Sequence, residues 1–161
     1  MKHFFANHED QGLNERNPPP PDVAVLYAED DDEWADLVRL WIRGTGLVMR
    51  RVANGRELRS FLDRCLTTPR CLLLDLGLGD EDGLKICDEI KARPSLQKIP
   101  IIVLTGHKKM LLPALNHQAL YFIHKSHKAN QELLAVIRSV YQDTAIGANC
   151  NTAQFSLWCC Q

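Results

Sequence analysis

Five residues in this sequence have the types needed to handle a phosphoryl group together: Glu29, Asp30, Asp75, Thr105 and Lys125. Three carboxylates held close repel one another, and a bound cation relieves that cost. An all-oxygen donor set suits a hard cation, and magnesium accepts one or two carboxylates while keeping several waters. Such an ion beside Asp75 could bridge to one phosphoryl oxygen. The Lys125 ammonium could then neutralise a second oxygen, and the Thr105 hydroxyl could donate to a third. Asp75 would be the nucleophile, because side-chain carboxylates form aspartyl-phosphate intermediates. Each residue type alone is common, so the signal rests on whether the fold gathers them.

The elements around them say that it does. Val23 to Ala28 is a short apolar run of the kind that forms a strand buried on both faces. It stops at an acidic cluster, Glu29 to Glu33, in which Asp31 or Asp32 can cap the helix that follows. Trp34, Leu37, Val38, Trp41 and Ile42 recur at helical steps, and Gly44 and Gly46 close that stretch. Leu47 to Ala53 reads as a second strand. Asn54-Gly55 turns it into a helix carrying Leu58, Phe61, Leu62, Cys65 and Leu66. Cys71 to Leu74 is a third strand, ending at Asp75. A glycine-rich loop with Gly77 and Gly79 leads to a helix with Leu84, Ile86, Cys87 and Ile90. Ile99 to Leu104 is a fourth strand, ending at Thr105. A weaker helix runs from Lys108 to about Asn116, and Pro113 inside it should kink or break it. Leu120 to Ile123 is a fifth strand, followed by Lys125 and a last helix with Leu133, Leu134, Ile137, Val140 and Tyr141.

Strands alternating with helices imply an α/β fold, a doubly wound parallel sheet with helices on both faces. Ligands of such sheets bind outside the carboxyl ends of the strands, which is where all five residues fall. Periodicity alone leaves the strand order open.

Composition narrows the class. A chain of 161 residues, 45% hydrophobic and 24% charged, can bury a core without metals or disulfides. A net charge of -1 gives no support for a basic nucleic-acid surface, and no DNA-binding motif appears. No run of about 18 apolar residues is present to cross a bilayer. Residues 1–21, ending in Pro18 to Pro21, read as a flexible leader, 22–142 as the folded domain and 143–161 as a tail. In that tail Phe155, Leu157, Trp158, Cys159 and Cys160 suit either a docking segment or a disordered end. The six cysteines do not form a disulfide framework. Cys65, Cys71 and Cys87 fall in apolar-periodic segments as small core residues, which reads as a reduced, cytoplasmic protein. His107, His117, His124 and His127 lack a metal-ligand spacing. His107, two residues past Thr105, should lie near a phosphoryl group.

The segments VLYAEDD, LLLDLGLGDEDG, IIVLTG and YFIHK resemble the four signature segments of the response-regulator receiver domain, over about residues 23–142. The resemblance implies a flavodoxin-like sheet of strand order 2-1-3-4-5. It also implies Glu29 and Asp30 as an acidic pair for Mg2+ or Mn2+, Asp75 as phosphoacceptor and the backbone carbonyl of Gly77 as a further metal ligand. Thr105 matches the family's switch hydroxyl, Lys125 its lysine, and Phe122 an aromatic switch. Gly77 and His107 stand where residues could modulate the lifetime of the acyl phosphate. The implied role is in two-component signalling or a phosphorelay. A histidine kinase or phosphotransfer protein would donate the phosphoryl group, and output would pass by protein–protein contact to a downstream target. The chemistry would be self-catalysed transfer and autodephosphorylation at Asp75, not enzymatic turnover. A hydrolytic phosphatase would want an acid two residues past the nucleophile, where Gly77 stands. Ser126 replaces the proline usual after the lysine, Gly79 replaces one usual four residues after the phosphoacceptor, and the segment from Thr105 to Lys125 is about two residues short. These departures bring Lys125's reach into question, predict a looser loop after Asp75, and motivate one alternative, a phosphorylation-independent interaction scaffold.

Overall fold

The five segments read as strands become parallel strands: β1 (Val25–Ala28), β2 (Met49–Val52), β3 (Cys71–Leu74), β6 (Ile101–Thr105) and β7 (Tyr121–His124). A two-stranded ribbon of β4 (Gly77–Leu78) and β5 (Glu81–Asp82) lies between them in sequence. The helices are α1 (Asp32–Arg43), α2 (Gly55–Arg64), α3 (Gly83–Ala92), α4 (Leu111–Asn116) and α5 (Ala129–Ala145). This computed structural model describes residues 23–79 and 81–145. The leader and the tail beyond Ala145, with their prolines and cysteines, lie outside the described residues.

The sheet order is β2-β1-β3-β6-β7, all neighbours parallel. Taking the five strands in chain order, this is 2-1-3-4-5, the flavodoxin-like order implied by the resemblance. Successive residues of a strand point to opposite faces, and the core divides accordingly. Leu26, Ala28, Leu72, Leu74, Ile101 and Val103 pack with α2, α3 and α4. Val25, Tyr27, Cys71, Leu73, Ile102 and Leu104 pack with α1 and α5. Each fully buried Leu or Ile contributes roughly 1.5–3 kcal/mol relative to exposure. Cys71 and Cys87 are buried free thiols, and burial pushes the pKa of each up to about 12.

Local signals set the helix starts. The Asp31 carboxylate accepts from the Trp34 N–H at 3.0 Å to cap α1. Asn54 caps α2 through the Glu57 N–H at 2.9 Å, while the Glu57 carboxylate accepts from the Ala53 N–H at 2.9 Å. Asp82 caps α3 through Leu84.

Several details depart from the periodic reading. Leu37 and Leu66 are 43% and 80% exposed rather than core, Ala35 filling the buried position on α1 and Leu66 lying past the end of α2. The described residues after Asp75 form a short ribbon. Gly77 pairs with Asp82 and Leu78 with Glu81, and Gly79 turns the hairpin at φ +60, a left-handed conformation that favours glycine. The fourth helix splits into a 3-10 turn, Lys108–Met110, and the short α4. Pro113 is the third residue of α4, in the first turn, where a missing N–H breaks no intrahelical bond. Among the described residues no helix is long and apolar enough to cross a membrane.

One glycine is required by space. A Cβ on Gly83 would lie 2.6 Å from the Leu76 Cα and 2.9 Å from the Asp75 carbonyl oxygen, and the Gly83 N–H donates to the Leu76 carbonyl at 3.1 Å. Gly83→Ala is therefore expected to cost about 1–3 kcal/mol or more, because backbone must move rather than a side-chain tip. Urea melts of the two proteins check this.

Candidate functional site

Pleat alternation decides which site residues face one another. Continued past the strand ends, the Val25–Tyr27 side leads to Glu29, the Cys71–Leu73 side to Asp75, and the Tyr121–Ile123 side to Lys125. All three fall toward α1 and α5. The Lys125 Nζ lies 2.7 Å from Glu29 Oε2 and 3.1 Å from Asp75 Oδ2. To reach them Lys125 crosses the end of β6, where its N–H donates to the Thr105 carbonyl at 2.9 Å. No cis peptide bond occurs among the described residues, and with Ser126 following it Lys125 still reaches the site.

Asp75 Oδ1 accepts from the Leu76 N–H at 2.8 Å, and the Asp75 N–H donates to the Ala28 carbonyl at 3.0 Å. Asp30 is exposed, and its Oδ2 accepts from the Gly79 N–H at 3.1 Å, tying the ribbon turn to the end of β1. Glu29, Asp30 and Asp75 each offer an oxygen, all within 4.8 Å of one another, which is a donor set for a hard divalent cation. Thr105 is fully buried, and its Oγ1 accepts from the His107 N–H at 3.4 Å. The five residues, with Asp31, Trp34, Gly106 and His107, line an open cleft of about 400 Å³.

Of the other candidate residues, His107 lines this cleft and Gly77 adjoins Asp75, whereas Phe122 is not part of the lining. A Cβ on Gly77 would sit 3.8 Å from Asp75 Oδ2, so Gly77 is beside the carboxylate without being sterically required to be glycine. Phe122 is half-buried against the α2–α3–α4 side of the core. It pairs with Val103 in the register that pairs Thr105 with His124, so Phe122 is one step of the strand pair from the threonine. His107 is exposed at the rim. His117 contacts Asp88 at 2.7 Å, and His124 Nε2 lies 3.1 Å from the Gly106 carbonyl oxygen. Among the described residues no histidine joins the acidic cluster.

Three residues that sequence reasoning did not single out complete the site. The Tyr27 hydroxyl, buried two residues before Glu29 on the same face, donates to Glu29 Oε2 at 2.6 Å. Arg51 on β2 donates from Nε to the Glu29 carbonyl at 2.9 Å and from Nη2 to the Asp30 carbonyl at 3.0 Å, and it also pairs with Asp32. Trp34 places its ring beside the Lys125 ammonium. The available signals were a phenol inside an aliphatic run and an arginine within a strand, neither of which names its partner.

Burial pushes the Glu29 carboxyl above its usual range, Lys125 and Tyr27 pulling partly back while the Asp75 charge adds to the rise. Burial and the adjoining Glu29 hold the Tyr27 hydroxyl far above the ordinary phenol value, so it stays a donor.

A family model described as the response regulator receiver domain matches residues 25–138. The chain belongs to that family. Over 99 residues it is 49% identical to the response regulator Rcp1 of Synechocystis, a stretch covering 57% of this chain and 65% of Rcp1. It is 33% identical over 83 residues to the transcriptional regulatory protein GltR of Pseudomonas aeruginosa, covering 52% of this chain and 34% of GltR. The receiver thus spans from about a third to two thirds of the length of these relatives. A solved receiver domain of a Pseudomonas aeruginosa sensor histidine kinase, with magnesium coordinated in its active-site cleft, superposes with a TM-score of 0.66 at 22% identity, covering 75% of this receiver and 98% of that chain.

A raised folded pKa means that Glu29 binds its proton more tightly folded than unfolded. Stability therefore falls as pH rises from the ordinary value of 4.5 up to the raised one, because the unfolded receiver gives up its proton first. In chelator, Glu29→Gln is expected to flatten that part of the stability curve. Urea melts between about pH 4 and 8 check it; curves that stay parallel would mean that Glu29 does not titrate in this window.

Proposed function

We propose that this receiver accepts a phosphoryl group on Asp75 from a phosphohistidine of a histidine kinase or phosphotransfer protein. The observation that carries the reading is Lys125 Nζ held between Glu29 and Asp75, with Asp30 completing a three-carboxylate cluster. A carboxylate oxygen of Asp75 attacks phosphorus. The P–N bond breaks, the imidazole nitrogen leaves with the bonding pair, and an acyl phosphate forms. Lys125 is placed to neutralise one non-bridging oxygen, and the Thr105 hydroxyl can turn to donate to another. Glu29, Asp30, Asp75 and the Gly77 carbonyl would hold Mg2+ or Mn2+, which supplies positive charge to the transferring group. Solved relatives carrying these ions in this fold, Mn2+ in Rcp1 and magnesium in the histidine-kinase receiver, support that choice.

Hydrolysis of the acyl phosphate, self-catalysed at the same site, returns Asp75, with Gly77 and the exposed His107 at the rim influencing its lifetime. Output is a population shift: Thr105 moves toward the phosphate, Phe122 on the same face follows, and a cytoplasmic partner binds the altered surface. The features that motivated a phosphorylation-independent scaffold, Ser126 and the short fourth helix, leave Lys125 within hydrogen-bond distance of Asp75. No geometric observation favours that alternative.

Treatment with acetyl phosphate and Mg2+ is expected to add one phosphoryl mass to the wild type and none to Asp75→Ala. Chelator should prevent labelling, and Lys125→Met should slow it by about 10²-fold, the range for removing one charge-stabilising donor. Intact mass spectrometry reads all of these, and a wild type that gains no mass would refute the reading.

A further inference from the structure

We propose that Trp34 is a positioning residue for Lys125, its indole face holding the ammonium over the cleft alongside the two carboxylates. The inference rests on the reading of Lys125 as the group that meets the phosphoryl oxygens. The Lys125 Nζ lies 5.4 Å from the Trp34 ring centroid, within cation–π range. The ammonium side chain is only 9% exposed, so little water screens the contact.

The ring is itself held. The Trp34 backbone N–H donates to the Asp31 carboxylate, which fixes where α1 starts and so where the side chain leaves the helix. The edge of the ring meets Trp41 at 6.2 Å between centroids and 77° between planes, and Trp34 packs half-buried against the α1–α5 core. Its surroundings therefore fix the wall before Lys125 arrives. The two carboxylates act differently on the lysine. Glu29, fully buried and anchored by Tyr27, pulls the ammonium inward, while Asp75 draws it toward the reacting oxygens. When Asp75 gains a phosphoryl group, the negative oxygens that Lys125 must meet move outward. An ion pair with Glu29 resists that displacement because it is directional and short. Attraction to an aromatic face is broad and changes little as the cation slides across it. Trp34 thus keeps the ammonium in the cleft while permitting the small shift that the new oxygens demand.

The test is a double-mutant cycle in the full chain, with labelling by acetyl phosphate and Mg2+ as one readout and NMR of the Lys125 ε-methylene protons as the other. Trp34→Leu is expected to slow labelling by about two- to fivefold when Lys125 is present, the range for losing one such contact, and to change nothing further in a Lys125→Met background. Trp34→Phe, which keeps an aromatic face, should retain most of the rate. The ring current should shift the ε-methylene protons upfield in the wild type and in Trp34→Phe, and that shift should vanish in Trp34→Leu. Equal slowing in both lysine backgrounds would show a merely structural tryptophan, and no slowing in either would show an idle one; each overturns the proposal. If the wild type takes no phosphoryl group, the functional reading fails on its own and the NMR shift decides the contact: unchanged in Trp34→Leu, it overturns the placement of Lys125 by Trp34.

Discussion

Lys125 Nζ sits between two carboxylates that burial has largely stripped of water, 2.7 Å from Glu29 and 3.1 Å from Asp75. Removing one partner of a buried ion pair costs roughly 3–5 kcal/mol, because the remaining charge has nothing to replace it. The cluster of Glu29, Asp30 and Asp75 sets three carboxylates against the Lys125 ammonium, so Lys125 moderates the repulsion without ending it. That residual negative charge is the property a divalent cation answers, and the pairing with Lys125 keeps Asp75 inside the fold while leaving it beside an open cleft.

Everything around the pair serves to bring strand ends together. Parallel strands align their carboxyl ends, and the order β2-β1-β3-β6-β7 puts β1 and β3 side by side in the middle. Glu29, Asp30 and Asp75 therefore start as neighbours, and Lys125 has only β6 to cross. Arg51 reaches from the edge strand and holds the carbonyls of both acidic residues, which ties the end of β2 to the end of β1. Asp30 takes the Gly79 N–H, so the ribbon after Asp75 is tied to the same strand end. At Gly83, the close approach of α3 to the Asp75–Leu76 backbone leaves no room for a side chain. The site is thus anchored through β2, the β4–β5 ribbon and α3, and a disturbance in any of them reaches the acidic cluster through short contacts.

β1, β3 and β6 were legible because each is an apolar run ended by a polar residue of distinct chemistry, the composition a buried parallel strand needs, whereas the edge strand β2 carries Arg50 and Arg51. The acid pair, Asp75, Thr105 and Lys125 could be named for a related reason: they are polar residues at or just past the ends of the strands, Lys125 coming one residue after His124. Leu37 misled because helical spacing marks a stripe wider than the part that finds a partner, and Ala35 occupies the buried position. The hairpin after Asp75 and the 3-10 turn before α4 were missed because two-residue strands and single turns have no period to read. Pro113 predicted a kinked or broken helix, and the segment does split just ahead of it, the proline falling in the first turn of α4 where no bond is lost.

The sequence by itself determined the fold class and the strand-end location of the candidate site residues, because alternation of apolar and polar residues encodes burial along one element at a time. Only the tertiary structure decided that Lys125 joins Glu29 to Asp75, that Tyr27 and Arg51 brace the acidic pair, and that Trp34 flanks the ammonium. Those contacts join residues from different elements, up to 96 positions apart in the case of Lys125 and Glu29. Their distances follow from strand order and register, quantities that no local pattern carries.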